Sequence, residues 1–241
     1  MGKVSGLGVR LYSAGYDLST DVSAIDSIES AQELLDVTAL DTSARKRISG
    51  MMDGKLSVNG WFDSAAGQSH SAWTSNGGKL PTADQVALVT YGTSRGDAFS
   101  GLSCKQADYT VDNTPGSALA TTASYEGAAG AGIESGVLLT TGTTQTDSSA
   151  TNSASVDEGA TASGSAPAAY LEVISLASGE ATIKVQDSGN DVSWSDKITF
   201  TSVTGRTSER VAAAGSSGRY LRVSTSGTFS SLVFVVGFSR G

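Results

Sequence analysis

The sequence predicts a mainly β protein made of two β-sandwich-like bodies, with helix confined to one short segment. Glycine at 29 copies against three prolines supplies turns while leaving strands unbroken. Long runs of Ser, Thr, Ala and Val favour pleated, half-buried surfaces over helices. At 241 residues and 24.4 kDa the chain is long enough for one large β domain or two ordinary ones, and two is the default expectation.

The first body begins with "LGVRLYSAGYDLSTDVSAIDSIES", which alternates well enough for two or three strands around a "GYD" turn. "AQELLDV" fits helix and strand spacing alike, and the neighbouring "VTAL" tips it toward strand. "DTSARKRISGMMDG" predicts the one helix: Asp41, Thr42 or Ser43 can cap it, Arg45, Lys46 and Arg47 sit toward its negative end, and Gly50 can stop it. "DGKLSVNGWFD" then reads as a tight turn followed by a strand. Leu56, Val58, Gly60 and Phe62 fall on one face of that strand, and Ser57, Asn59, Trp61 and Asp63 on the other. A large ring on each face asks for apolar cover on both sides, which a small antiparallel domain does not normally provide. Further strands are predicted over 84–91, 98–111 and 118–125, followed by a Gly/Ala-rich loop, "EGAAGAGIESG".

Between positions 140 and 155, ten of sixteen residues are Ser or Thr, and no large apolar residue occurs. This tract marks the expected boundary, either as a solvated linker or as a polar edge strand continuing from "GVLLTTG". The division is therefore 1–150, a linker at 151–164, and a second body at 165–241. Five runs follow, at 170–176, 181–186, 197–203, 219–225 and 232–238, with the spacing of a compact sandwich or jelly roll.

Net charge is −8, and residues 1–150 hold 16 acids against 9 bases while 151–241 hold 8 against 7. An acidic first body repels phosphate, which argues against tight DNA binding by counterion release and allows a role beside DNA without gripping it. The single Cys104 excludes an intrachain disulfide. No window approaches the roughly 18 apolar residues of a membrane-spanning helix, and no targeting segment is expected.

Catalytic chemistry finds little support. His70 is the sole histidine, set in the polar "AAGQSHSAW", so any Ser/His/Asp set would have to be built on it. "GAAGAGIESG" misses the last glycine of a dinucleotide fingerprint and has no βαβ context. Asp187 and Asp191 in "DSGND" could together hold a hard cation, although such a sequence more often simply turns a hairpin. Trp194 could stack on a sugar ring or plug the end of a sandwich. Arg219, Arg222 and Arg240 read as solubilising or edge-blocking charges. No cofactor is expected.

The ordered series "GYDLSTDVSAIDSIES", "LLDVTALDTSARKRISGMMDGKLSVNGWFD", "LVTYG", "CKQADYTVD" and "GVLLTTG" resembles the major tail proteins of long-tailed bacteriophages, particularly those of actinobacterial hosts. The ending "GRYLRVSTSGTFSSLVFVVGFSRG" is similar to galactose-binding-like jelly rolls and tail decoration domains. The resemblance implies a tail-tube β-sandwich or partial barrel with one short helix, followed by a jelly-roll-like decoration domain. It implies a non-enzymatic homo-oligomer in the virion tail: hexameric rings stacked into a tube, with tape measure protein and double-stranded DNA in the lumen without tight binding. Tail terminator and distal tail proteins would meet the tube ends, and no membrane is involved. Leu56, Val58, Trp61 and Phe62 become subunit-packing candidates, with 64–81 or 1–11 as the segment reaching the next ring. A reading from another class, a carbohydrate-binding or adhesion module of a virion or cell surface, would make Trp194, Tyr220 and the "DSGND" turn the working part.

Overall fold

The computed structural model describes Gly6 and residues 8–128, 132–162 and 166–241. Strand accounts for 59% of the chain and helix for 2%, and the antiparallel sheet is not closed into a barrel, so the protein is a mainly β, sandwich-like fold.

The strands of the first half are β1 (Arg10–Ser13), β2 (Tyr16–Asp17), β3 (Val22–Asp36), β4 (Arg47–Trp61), β5 (Gln85–Thr90), β6 (Ala98–Asp112), β7 (Ala120–Gly127) and β8 (Ile133–Leu138). Two layers face each other. One contains β1, β5, β8 and the first half of β6; the other contains β3, β4, β7 and the second half of β6. Leu11, Ala87, Val89 and Leu102 from the first layer meet Leu56, Val58, Ala123 and Tyr125 from the second in one buried core. Alternation along β4 produces this directly: Leu56 and Val58 point in, while Ser57, Asn59 and Trp61 point out.

The helix expected in "DTSARKRISGMMDG" does not form. Its second half is the start of β4, and Asp53–Gly54 lies inside that strand rather than at a turn. Pairing with β3 over fifteen residues outweighs a weak local preference, and Gly54 is used for closeness: a Cβ there would lie 2.6 Å from Leu102 Cδ1. The short helix is instead α1 (Ser69–Trp73), inside the stretch 64–81 expected to be a loop. Long-range bonds hold it. The Ser69 amide donates to Asp21 Oδ2 at 2.7 Å, and buried Trp73 donates its Nε1–H to the Tyr125 hydroxyl at 2.6 Å.

The second half adds β9 (Gln145–Asp147), β10 (Val156–Asp157), β11 (Ala168–Ser188), β12 (Ser195–Thr199), β13 (Thr207–Ala212) and β14 (Tyr220–Ser239). Four of the five expected runs merge in pairs into β11 and β14, which run antiparallel for their whole length. Val173 and Ile183 of β11, like Val223 and Phe234 of β14, belong to one core, so each strand must fold over on itself. The corner is at Gly179 and Gly227, with φ of 89° and 111°, where a Cβ would meet the opposite carbonyl oxygen at 2.1 and 2.4 Å. The Ser/Thr-rich tract is not free in solvent. Gln145–Asp147 pairs with β14, Asn152 bridges to Ser224, and the Thr225 hydroxyl donates to buried Asp147 at 3.0 Å.

The halves meet along a seam. Val86 and Leu88 of β5 and Phe99 of β6 face Ala168, Tyr170 and Val235, while the alternate β5 residues Ala87 and Val89 face the first core. The Tyr170 ring lies on Gly101, and its hydroxyl bonds to Glu134. Arg210 grips the same carboxylate with two donors at 2.6 and 2.8 Å. Burial, then Glu134, holds the Tyr170 hydroxyl far above its ordinary range.

Gly179→Ala and Gly227→Ala each force a side chain into a left-handed, closed corner, so each is expected to cost roughly 1–3 kcal/mol in denaturant-induced unfolding. Losses under half a kcal/mol would remove the corner as a constraint.

Candidate functional site

The residues singled out for chemistry do not converge. His70 sits in α1, its Nδ1 3.0 Å from the Tyr109 hydroxyl and its ring 4.7 Å from that of Phe62, as part of an aromatic plug with Trp73. In the "DSGND" turn the organiser is Asn190, whose Oδ1 accepts the Val192 and Ser193 amides at 3.1 and 2.9 Å. Asp187 accepts the Gly218 amide at 2.8 Å, and Asp191 is exposed at a φ of 60°. Among the described residues no group of three or more His, Cys, Asp or Glu side chains is placed to hold a metal ion. The guanidinium of Arg222 covers one face of Trp194 at 4.2 Å. Arg219 forms a two-pronged pair with Asp157, whose carboxyl it pulls down to about 2.

What the fold leaves unfinished is the outer layer, β3–β4–β7–β6. Among the described residues β3 pairs with β4 alone, leaving its other edge without a strand partner. At the far side Cys104 is the last β6 residue to meet β5, and from Gln106 to Asp112 only the β7 side of β6 is paired. Among the described residues this four-stranded layer therefore ends in unpaired backbone donors and acceptors on both sides.

Its inner face is core and its outer face is wet. Register places Glu29, Lys55, Glu126 and Lys105 in one row across four strands, and Lys105 reaches Asp84 at 2.6 Å, giving five charges of alternating sign. Opposite charges on adjacent strands fix register. The next rows, Ser27–Ser57–Ser124 and Ala24–Asn59–Thr122–Thr110, are small and mostly polar. Asp53, Asp108 and Asp112 share this face, so with Glu29, Asp84 and Glu126 six acids outnumber Lys55 and Lys105. Trp61 closes it, 50% exposed. Of the four packing candidates, the chain itself buries Leu56 and Val58 and half-covers Phe62 against His70; Trp61 is the one left open.

Past the end of β7, β3 and β4 continue as a two-stranded arm whose strands, among the described residues, pair only with each other. Leu35 and Ile48 are cross-strand partners on one face, with Met52 two rungs along; Leu34 and Met51 lie on the other. All five are exposed, Met51 at 79%. Asp36 fastens the tip, accepting the Thr38 amide at 2.9 Å and the Thr38 hydroxyl at 2.5 Å, bonds that lower its carboxyl. The segment 64–81, expected to project, is instead tied to the core through α1. Of the other expected arm, 1–11, residues 1–5 and 7 lie outside the described residues, and Leu11 is buried in β1.

No family model matches the chain. No curated protein matches it either. Among solved structures it is similar to a chain of the native gene transfer agent virion, at 14% identity over 52% of this chain and 95% of that one, with a TM-score of 0.41. A chain from the tail of an empty gene transfer agent particle with C6 symmetry gives 15% identity, coverages of 53% and 95%, and a TM-score of 0.40. The Dit protein (gp 19.1) of SPP1, described as a hub of the adsorption apparatus of phages infecting Gram-positive hosts, gives 12% identity, coverages of 98% and 99%, and a TM-score of 0.34. No TM-score here reaches one half, so the functional reading is built on the chain's own geometry.

For the dilute single chain, Leu56→Ala is expected to cost about 2–5 kcal/mol as a core cavity. Trp61→Ser should stay within about 1 kcal/mol, because half of the ring already faces water. Denaturant unfolding of both variants checks this; a large loss for Trp61→Ser would mean that the chain covers its own indole.

Proposed function

We propose that this chain is a structural subunit of a virion tail, the major tail-tube protein, whose copies join edge to edge in hexameric rings that stack into a conduit for the genome. The observation that carries this reading is the outer layer β3–β4–β7–β6, with both edges unpaired, one face core and the other solvated. Such edges are an aggregation hazard in a monomer and become joints when a ring closes them.

In this arrangement the wet face lines the lumen. Its excess of acids, multiplied around the ring, repels DNA passing through, and its small polar rows offer little for DNA or tape measure protein to hold. Trp61 and the bare β3 edge meet the neighbouring copy. The apolar arm reaches toward the adjacent ring, since exposed apolar residues on both of its faces need cover that the chain does not supply. Residues 1–150 form the tube and 165–241 decorate its outside, while tail terminator and distal tail proteins cap the ends. The role is non-enzymatic and needs no cofactor, and the host suggested by resemblance is an actinobacterium.

Negative-stain imaging and sedimentation of the concentrated full chain are expected to show sixfold rings or tubes; strict monomers at high concentration would end this reading. The paired change Leu35→Asp with Ile48→Asp, at an exposed site, should leave the chain folded and abolish stacking. Tubes of wild-type length from that double mutant would remove the arm from the assembly.

A further inference from the structure

The seam holds one buried acid that neither hydrophobic core requires. Glu172 shares the seam face of β11 with Ala168 and Tyr170 and is fully excluded from solvent. Its Oε2 accepts the Gly15 amide at 2.5 Å, and its Oε1 has no hydrogen-bond partner. Gly15 forms the β1–β2 turn with Ala14, at φ of 79° and 53°. A Cβ on Gly15 would lie 2.4 Å from Arg206 Cγ and 2.8 Å from the Val173 carbonyl oxygen. A turn of the first half is thus wedged against β11 and the start of β13, and Glu172 holds it.

Among the described residues no basic side chain bonds to that carboxyl. Opposite it, β13 presents Ser208 and β14 presents Val235. From β6 and β7 come the Cys104 thiol and the Tyr125 hydroxyl, both held protonated chiefly by burial. β5 brings Val86, whose amide donates to Ser208, and β2 carries Tyr16 and Asp17, the latter paired with Arg10 at 2.8 Å. The basic side chain bordering the turn, Arg206, spends its guanidinium on the Tyr16 ring at 3.9 Å and the Ile174 carbonyl at 3.2 Å.

We propose that Glu172 is a pH-sensitive latch: as a neutral acid it seats the β1–β2 turn against the second half, and its ionisation in alkaline solution expels that turn and loosens the seam. The latch acts within one chain and is independent of assembly. Burial raises the Glu172 carboxyl well above the ordinary glutamate range, so the folded chain keeps a proton that the unfolded chain has lost. The stability this contributes is complete below the ordinary range and drains away as pH rises toward the folded value.

The test is equilibrium unfolding of the full chain from about pH 5 to about pH 9, wild type against Glu172→Gln, whose amide still accepts the Gly15 N–H but cannot ionise. Within the window the wild-type unfolding constant should rise relative to that of Glu172→Gln by up to about tenfold per pH unit. Exchange of the Gly15 amide should accelerate with pH more steeply in the wild type than in Glu172→Gln. Parallel profiles in both measurements would overturn the latch. Should Glu172→Gln not fold, infrared spectra of the wild type decide: a protonated carboxyl band at neutral pH that bleaches on alkaline titration supports it, and absence of the band overturns it.

Discussion

β5 and the first half of β6 are buried on both faces, and the rest of the molecule is arranged around that constraint. Val86 and Leu88 serve the seam while Ala87 and Val89 serve the first core, so removing either cover would strand a row of apolar side chains in water. The second half is a structural necessity for the first. It completes the burial of a layer that is otherwise covered once, and it brings its own polar fasteners: Arg210 on Glu134, Arg206 on the Tyr16 ring, and the Ser208 hydroxyl accepting the Val86 amide at 3.3 Å.

The seam lies on one side of the first core, and the layer β3–β4–β7–β6 lies on the other. That layer has one dry face, one wet face and, among the described residues, two open edges, and it extends into an arm carrying apolar residues on both sides. Under the proposed role, a rigid seam and an open outer layer suit a subunit that presents the same edges to each neighbour. A protein that repeats itself around an axis needs its joining edges held still before the neighbour arrives.

Much of the strand pattern is legible in the sequence. Alternation places Leu56 and Val58 inside and Trp61 outside, and the continuous apolar run "QVALVT" marks a strand covered twice. The helix is misplaced by sequence reasoning because caps and charges around residues 41–50 are local signals, whereas the pairing of β4 with β3 is not. α1 escapes notice for the converse reason: it is a single turn anchored by Asp21 and Tyr125, 48 and 52 residues distant from their partners. β11 and β14 look like four strands since Gly179 and Gly227 resemble ordinary turn residues until the register sets Gly179 opposite Phe229 and Gly227 opposite Ala181 at one corner. The open edges of β3 and β6 have no signature in the chain at all.

From the sequence alone follow the mainly β class, the scarcity of helix, the acidic first half and the lack of a histidine-based site, because period-two patterning, glycine content and charge are properties of residues taken in order. Tertiary structure alone decided that Glu172 is buried, that Trp61 stays uncovered, that the Ser/Thr-rich tract lies along β14 and that the arm is a hairpin. Those depend on which distant strands become neighbours, and a partner's distance along the chain leaves no trace in the local pattern.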